Sequence, residues 1–147
     1  MGTTIVGGVI KNNGSGYIIN VGDSRAYLIT KHRAAIRQIT RDHSLVGELV
    51  EAGAITADEA RSHPQKNVIT RALGSDPVVK CDYFTLSLQS GDILLMCSDG
   101  LSNIVSDLEL LECAKENPEP EALCRMLMNK ALGRGAKDNV TVVAVMR

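Results

Sequence analysis

The sequence contains no tryptophan, one phenylalanine and three tyrosines. Platforms on which nucleic-acid bases could stack are therefore scarce. Neither sign of charge is in excess. Sixteen Lys and Arg stand against 17 Asp and Glu, for a formal net charge of -1. A near-neutral chain lacks the basic footprint of a nucleic-acid binder. No apolar run approaches the ~20 residues that a membrane-spanning helix requires, and no signal peptide opens the chain. The expected compartment is the cytoplasm, with neither nucleic acid nor membrane as partner.

Cysteines are few and unpaired in sequence. Cys81, Cys97, Cys113 and Cys124 form no CxxC pair, which removes support for a zinc ribbon or a thioredoxin-like site. All four read as buried, reduced thiols. Six positions after each stand Ser87, Asn103, Glu119 and Lys130, never the Arg that cysteine-based phosphate-ester chemistry needs. Also absent are a GxSxG nucleophile elbow, a GxxxxGK[ST] phosphate loop and an HExxH pair. His32, His43 and His63 are isolated in polar segments, and His43, in Arg41-Asp42-His43-Ser44, reads as a turn residue with a functional role as the alternative.

What is present is a globular composition: 147 residues, 44% apolar and 22% charged. That is one ordinary domain, spanning residues 1–147, long enough to bury roughly 68–70% of its unfolded surface. Met1 to Ile10 reads as a strand. Neither leader nor cap precedes it, which is unusual for a complete domain. Asn13-Gly14 offers a hairpin turn, followed by strands at Tyr17 to Val21, Ala26 to Ile29 and Ala35 to Ile39. This pattern predicts an antiparallel meander.

The texture changes at Arg41. Ser44 to Ala52 has helical spacing, with Gly53 as a stop. Thr56 and Glu59 fit a capping box, and the short helix they start ends before Pro64. Residues from about 44 to 67 thus form a polar helical excursion of the kind that borders a site.

Strands then return. In Asp82 to Leu88, Phe84, Leu86 and Leu88 share one face. Ile93 to Cys97 is apolar on both faces, as a covered central strand would be. Ser106 and Glu109 make a second capping box, whose helix predicts a stripe of Leu108, Leu111 and Ala114. Glu121 to Leu132 predicts a helix burying Leu123, Met126, Leu127 and Ala131, ended by Gly133. Asn139 to Met146 reads as a last strand. The expected class is α+β layered on a largely antiparallel sheet.

Three aspartates stand where a core strand meets a turn: Asp23, Asp99 and Asp138. Carboxylates at such places are costly unless paired or bound to a cation. Acids without matching bases suit a hard divalent ion, Mg²⁺ or Mn²⁺ rather than zinc. The alternative is that each merely caps its turn. Spacing alone leaves both readings open.

Five runs in order carry a resemblance: Val21 to Tyr27, Thr40 to His43, Val68 to Gly74, Gly91 to Leu101 and Lys137 to Val143. Together they resemble the metal-dependent protein serine/threonine phosphatases of the PPM (PP2C) family in their short bacterial form. The resemblance implies two stacked antiparallel β-sheets flanked by helices, an α-β-β-α sandwich. It implies direct hydrolysis of phosphoserine or phosphothreonine in proteins by a water activated between two Mn²⁺ or Mg²⁺ ions. Phosphorylated proteins, themselves products of a Ser/Thr kinase, are the implied partners. Asp99 and Asp138 match the catalytic metal-ligand aspartates, and Asp23 a third, weaker metal position. Where the family often carries a further acid, this chain has Asn103, which implies looser holding of a third ion. The excursion at 44–67 looks like the family's flap, and Arg25 reads as a structural ion-pair partner.

The family's opening section carries a phosphate-gripping Arg, an acidic pair and an Asp-Gly turn whose Asp bridges both metals. This sequence has none of them. It matches roughly the C-terminal 60% of such a domain. Two expectations follow: the isolated chain has little or no phosphatase turnover, and its uncovered sheet surfaces favour a homodimer. The competing expectation is a catalytically inactive regulatory or protein-binding module on the same scaffold.

Overall fold

The structure is a computed structural model of the chain, and residues 1–30 and 35–147 are described here. His32 lies outside the described residues. Seven strands and five helices follow in order: β1 Ile5–Ile10, β2 Ser15–Val21, β3 Arg25–Thr30, β4 Ala35–Gln38, α1 Leu45–Glu51, α2 Ala57–Ser62, β5 Asp82–Ser87, β6 Ile93–Cys97, α3 Asp99–Ser102, α4 Asp107–Glu116, α5 Pro120–Gly133 and β7 Val142–Met146.

The strands form two antiparallel sheets, one ordered β1-β2-β5 and the other β4-β3-β6-β7. The β1–β2 hairpin closes at Asn13-Gly14, with the Lys11 N–H donating to the Ser15 carbonyl at 2.8 Å. The alternation of β6 explains how the layers stack. Ile93, Leu95 and Cys97 enter a core with Leu101, Leu110, Leu123 and Leu127 from the helices. Leu94 faces the other way, with Met96 packed alongside, into a second core with Ile18, Leu86 and Leu88 of the β1-β2-β5 sheet and its exit. One five-residue strand thus serves two cores, which is why it is apolar throughout.

Capping fixes where the helices begin. Thr56 and Ser106 each make a complete capping box, with Glu59 and Glu109 respectively. Ser44 caps α1 by accepting the Gly47 N–H. Each cap satisfies a donor that the first helical turn would otherwise orphan.

The two stacked sheets and the helical layer agree with the expected class. The helical cover is one-sided: among the described residues, no helix packs extensively on β1, β2 or β5. Ile5, Val9, Tyr17 and Tyr83 are exposed on that outer face. At the β7 edge, Val143 and Val145 are exposed on the inner face.

Three details differ from the sequence reading. Leu108 is 72% exposed, because α4 buries Leu110, Leu111, Cys113 and Ala114 and Leu108 lies on the far side of that stripe. β7 begins at Val142, since residues 139–141 are engaged by Ser98 and the start of α3. The short helix α3 was invisible to periodicity, being only four residues long. Cys97 and Cys113 are buried, Cys81 and Cys124 are half-buried, and all four are free. Burial pushes the Cys97 thiol up to about 12.

Candidate metal centre

Register brings the three aspartates to one end of the molecule. Arg25 pairs with Cys97, and Cys97 pairs with Val142. The start of β3, the end of β6 and the start of β7 therefore lie side by side. Asp23, Asp99 and Asp138 all sit just beyond that shared end, Asp23 and Asp138 on the turns leading in and Asp99 at the start of α3.

The rim between Asp99 and Asp138 is stitched by Ser98. Its hydroxyl donates to the Asn139 carbonyl at 3.2 Å and accepts the Thr141 N–H at 3.0 Å. Its own N–H donates to the Thr141 carbonyl at 3.1 Å. Gly100 lets the two segments touch: a Cβ there would lie 2.3 Å from the Asn139 carbonyl oxygen.

The electrostatics follow from this proximity. Burial, and then the charge of Asp138, raise the Asp99 carboxyl above the usual range. Burial, and then the charge of Asp99, push Asp23 up to about 6. Asn103 donates to Asp99 Oδ2 at 3.3 Å, and Asp138 Oδ1 accepts the Asn139 N–H at 2.7 Å.

The donor chemistry fits a hard cation. The groups are carboxylate oxygens; burial and then a neighbouring carboxylate raise Asp99 and Asp23, and a divalent ion would relieve that repulsion. The set is partial. Among the described residues, no three His, Cys, Asp or Glu side chains lie close enough to hold an ion by themselves. The structure thus brings Asp99 near Asp138 and Asp23 near Asp99 without closing them into one ligand cage.

Arg25 is engaged elsewhere, as the sequence suggested. Its Nε reaches both oxygens of Asp42 at 3.0 Å, and an Nη reaches Oδ2 at 2.6 Å. Burial opposes its charge, but the hydrogen bonds and charges of Asp42 and Tyr27 together outweigh burial and hold the guanidinium firmly protonated. Its other Nη donates to the Tyr27 hydroxyl at 3.1 Å, and that hydroxyl donates to Asp107 at 3.3 Å. Asp107 in turn faces Arg61 of α2 at 3.4 Å. A cleft of about 470 Å³ lies between these groups and the excursion, with Asp23 and Asp99 on one side and Val46, Val50, Ala60 and Lys66 on the other.

The sequence left His43 between a turn residue and a functional one, and its partners are visible only in the fold. The residue is 6% exposed, and its ring contacts Gly22, Asp82 and Arg71. The available signal was its place between the strand-end turn and the excursion. His63 has a local role, accepting the Gln65 N–H at 3.1 Å.

The family model described as Protein phosphatase 2C matches residues 1–140. The chain is 42% identical over 147 residues to the serine/threonine phosphatase stp of Listeria monocytogenes, covering all of this chain and 57% of that protein. Among solved structures it resembles the serine/threonine phosphatase Stp1 from Staphylococcus aureus, with a TM-score of 0.92 and 42% identity, covering 100% of this chain and 57% of that one. It also resembles the catalytic domain of the serine threonine protein phosphatase PstP in complex with two manganese ions, with a TM-score of 0.78, 37% identity and coverage of 98% and 58%. The chain thus spans somewhat more than half the length of the relatives it matches. A family model that matches nearly the whole chain shows that it belongs to the protein phosphatase 2C family.

Proposed function

We propose that the rim formed by Asp99 and Asp138 is part of a centre for metal-dependent hydrolysis of phosphoserine and phosphothreonine in proteins. The observation that carries this reading is the joining of the segments that bear those two carboxyls, Ser98 being hydrogen-bonded to Asn139 and Thr141 and Gly100 packed on the Asn139 carbonyl. Asp99 and Asp138 would hold Mn²⁺ or Mg²⁺, two ions in all, and Asp23 would serve a third, weaker position. A bound ion would supply Lewis acidity, lowering the pKa of a water and aligning it with phosphorus. Asn103 donates to Asp99 rather than adding a charge, which supports weak holding of a third ion.

The chain spans 57% of the listerial relative, and its carboxylates form no closed set. Little or no turnover by the 147-residue chain alone is therefore part of this reading. The test is p-nitrophenyl phosphate hydrolysis with Mn²⁺, together with calorimetry. Heat of Mn²⁺ binding without turnover supports an incomplete centre. Robust metal-dependent turnover contradicts the incompleteness. Absence of any Mn²⁺ binding favours the second reading, an inactive regulatory or protein-binding module, for which the open ligand set is the supporting observation.

The proposed partners are phosphorylated proteins that a Ser/Thr kinase has modified, in the cytoplasm. No helix among the described residues is long and apolar enough to cross a membrane. The outer face of the β1-β2-β5 sheet and the exposed β7 edge supply a surface for a homodimer, since bare edges and apolar faces pair readily. Light scattering at micromolar concentration tests this: a clean monomer would count against it.

A further inference from the structure

We propose that His43 is a positioning residue for Asp23. Through Gly22 it fixes the turn that carries Asp23, and it ties that turn to both ends of the helical excursion. The metal-dependent part of this inference rests on the function proposed above; the positional part does not.

His43 grips Gly22 twice. Its Nδ1 accepts the Gly22 N–H at 3.0 Å, and its own backbone N–H donates to the Gly22 carbonyl at 3.0 Å. A backbone N–H can only donate, so Nδ1 is the unprotonated nitrogen. The ring proton then sits on Nε2, which donates to Asp82 Oδ2 at 3.1 Å; Arg71 Nη1, itself only a donor, stands 3.0 Å from the same nitrogen and makes no hydrogen bond to it in this tautomer. Asp82 is also held by Arg71, whose Nη1 donates to Oδ1 at 2.8 Å and to the Lys80 carbonyl at 3.1 Å. Burial works to raise the Asp82 carboxyl, but hydrogen bonds from His43 and Arg71 outweigh it and hold the group below the usual range. The acceptor for the imidazole is thereby kept ionised.

The turn needs such a grip. Gly22 has φ +111, and a Cβ there would lie 2.3 Å from the Thr4 methyl carbon. That conformation is open to glycine, and glycine is also the residue with the most freedom to leave it. Asn20 adds one further tie, donating from Nδ2 to the Gly22 carbonyl at 3.1 Å and to the Arg41 carbonyl at 3.0 Å.

The same imidazole stands at the base of the excursion. His43 directly precedes Ser44, the cap of α1. Thr70, at the other end, donates its N–H to the His43 carbonyl at 2.8 Å, and Leu45 donates to Val68 at 2.9 Å. A bridge joins Ser44 to Ile69, and Arg71 follows at once. The two ends of the excursion and the Asp23 turn thus meet at one buried side chain. A displacement of the excursion has a direct route to Asp23, whereas Asp99 and Asp138 are held by Ser98 and lie outside that route.

The experiment uses the full ¹⁵N-labelled chain with His43→Leu, which fills the space but accepts nothing, and His43→Asn. The Asn amide oxygen can take the place of Nδ1 as acceptor for Gly22. His43→Leu is expected to speed amide exchange at Gly22 and Asp23 by about tenfold or more while β3 and β6 keep their protection. His43→Asn is expected to restore most of it. In a Mn²⁺ titration, paramagnetic broadening in the wild type is expected at Asp23 and Ser24 as well as at Gly100 and Asn139. In His43→Leu it is expected to fade at the first pair and persist at the second. Unchanged exchange at Gly22 and Asp23 in His43→Leu would overturn the proposal, as would undiminished broadening at Asp23. If Mn²⁺ broadens nothing in the wild type, the metal reading fails and the exchange measurement alone decides the positioning role. Should His43→Leu not fold, Asp82→Ala, which leaves the ring in place without its anchor, is read by the same criteria.

Discussion

Asp99 opens α3 and Asp138 follows α5 in the chain, yet burial and then the charge of Asp138 raise the Asp99 carboxyl above its usual range. This pairing of like charges costs stability in the absence of a cation. Asp99→Asn and Asp138→Asn should each raise the urea midpoint of the metal-free chain, by a few tenths to about 1 kcal/mol for partly exposed charges. Both amides keep an oxygen for the local hydrogen bonds, so the substitution isolates the charge. Saturating Mn²⁺ should stabilise the wild type more than either variant. A lower midpoint for both variants without metal would identify the acids as turn formers.

Gly100 separates close packing from backbone freedom. Its added Cβ would lie 2.3 Å from the Asn139 carbonyl oxygen, whereas nothing lies within 4 Å of one at Gly133. Gly100→Ala should destabilise the fold by about 1–3 kcal/mol, as overpacking does, and shift the amide resonances of Asn139 and Thr141. Gly133→Ala, at the end of α5, should be neutral or gain up to about 1 kcal/mol from helix propensity. Equal effects at the two sites in urea unfolding would refute the close approach.

The two main helices are tied by Arg134 and Glu109. Hydrogen bonds from Arg134, then from the Ser106 backbone, bring Glu109 down to about 2. A carboxyl with a folded pKa below its unfolded value of about 4.3 contributes its full stability above that unfolded value. The contribution is lost as pH falls through about 2. The pair is exposed to solvent, so screening keeps this contribution small. Glu109→Gln retains the capping geometry. Urea unfolding should therefore show a gap between wild type and variant at neutral pH that closes near the acid limit; a constant gap would contradict the ionic origin.

Burial of α4 and α5 is tested by two leucines of opposite standing. Leu127 is 0% exposed and Leu108 is 72% exposed. Leu127→Ala should cost about 2–5 kcal/mol through lost transfer energy and a cavity. Leu108→Ala should stay within about 0.5 kcal/mol. Chemical denaturation of both variants checks the orientation of α4 directly, since a stripe through Leu108 would make that change expensive too.

Much of the architecture was legible before any coordinates. Alternation in β5 identified the buried face of Phe84, Leu86 and Leu88. Thr56 with Glu59 and Ser106 with Glu109 marked helix starts. The apolar run 93–97 announced a strand covered on both sides. These are local signals, set by side-chain periodicity and by the hydrogen-bonding needs of a first helical turn, so a linear reading reaches them. The same reading placed Asp23, Asp99 and Asp138 at strand ends but could not say that they share an end. That depends on register: Arg25 beside Cys97 beside Val142, a match set by inter-strand hydrogen bonds and by which faces must be buried. The exposure of Leu108 was decided in the same way, by the rotation of α4 against a sheet assembled from distant strands. So was the role of His43, whose partners Gly22, Asp82 and Arg71 come together only when the sheets stack and the excursion closes at its base. The sequence by itself determined the elements and the residue chemistry. Tertiary packing decided which charges confront one another, because electrostatic coupling depends on separation in space and the chain order does not encode it.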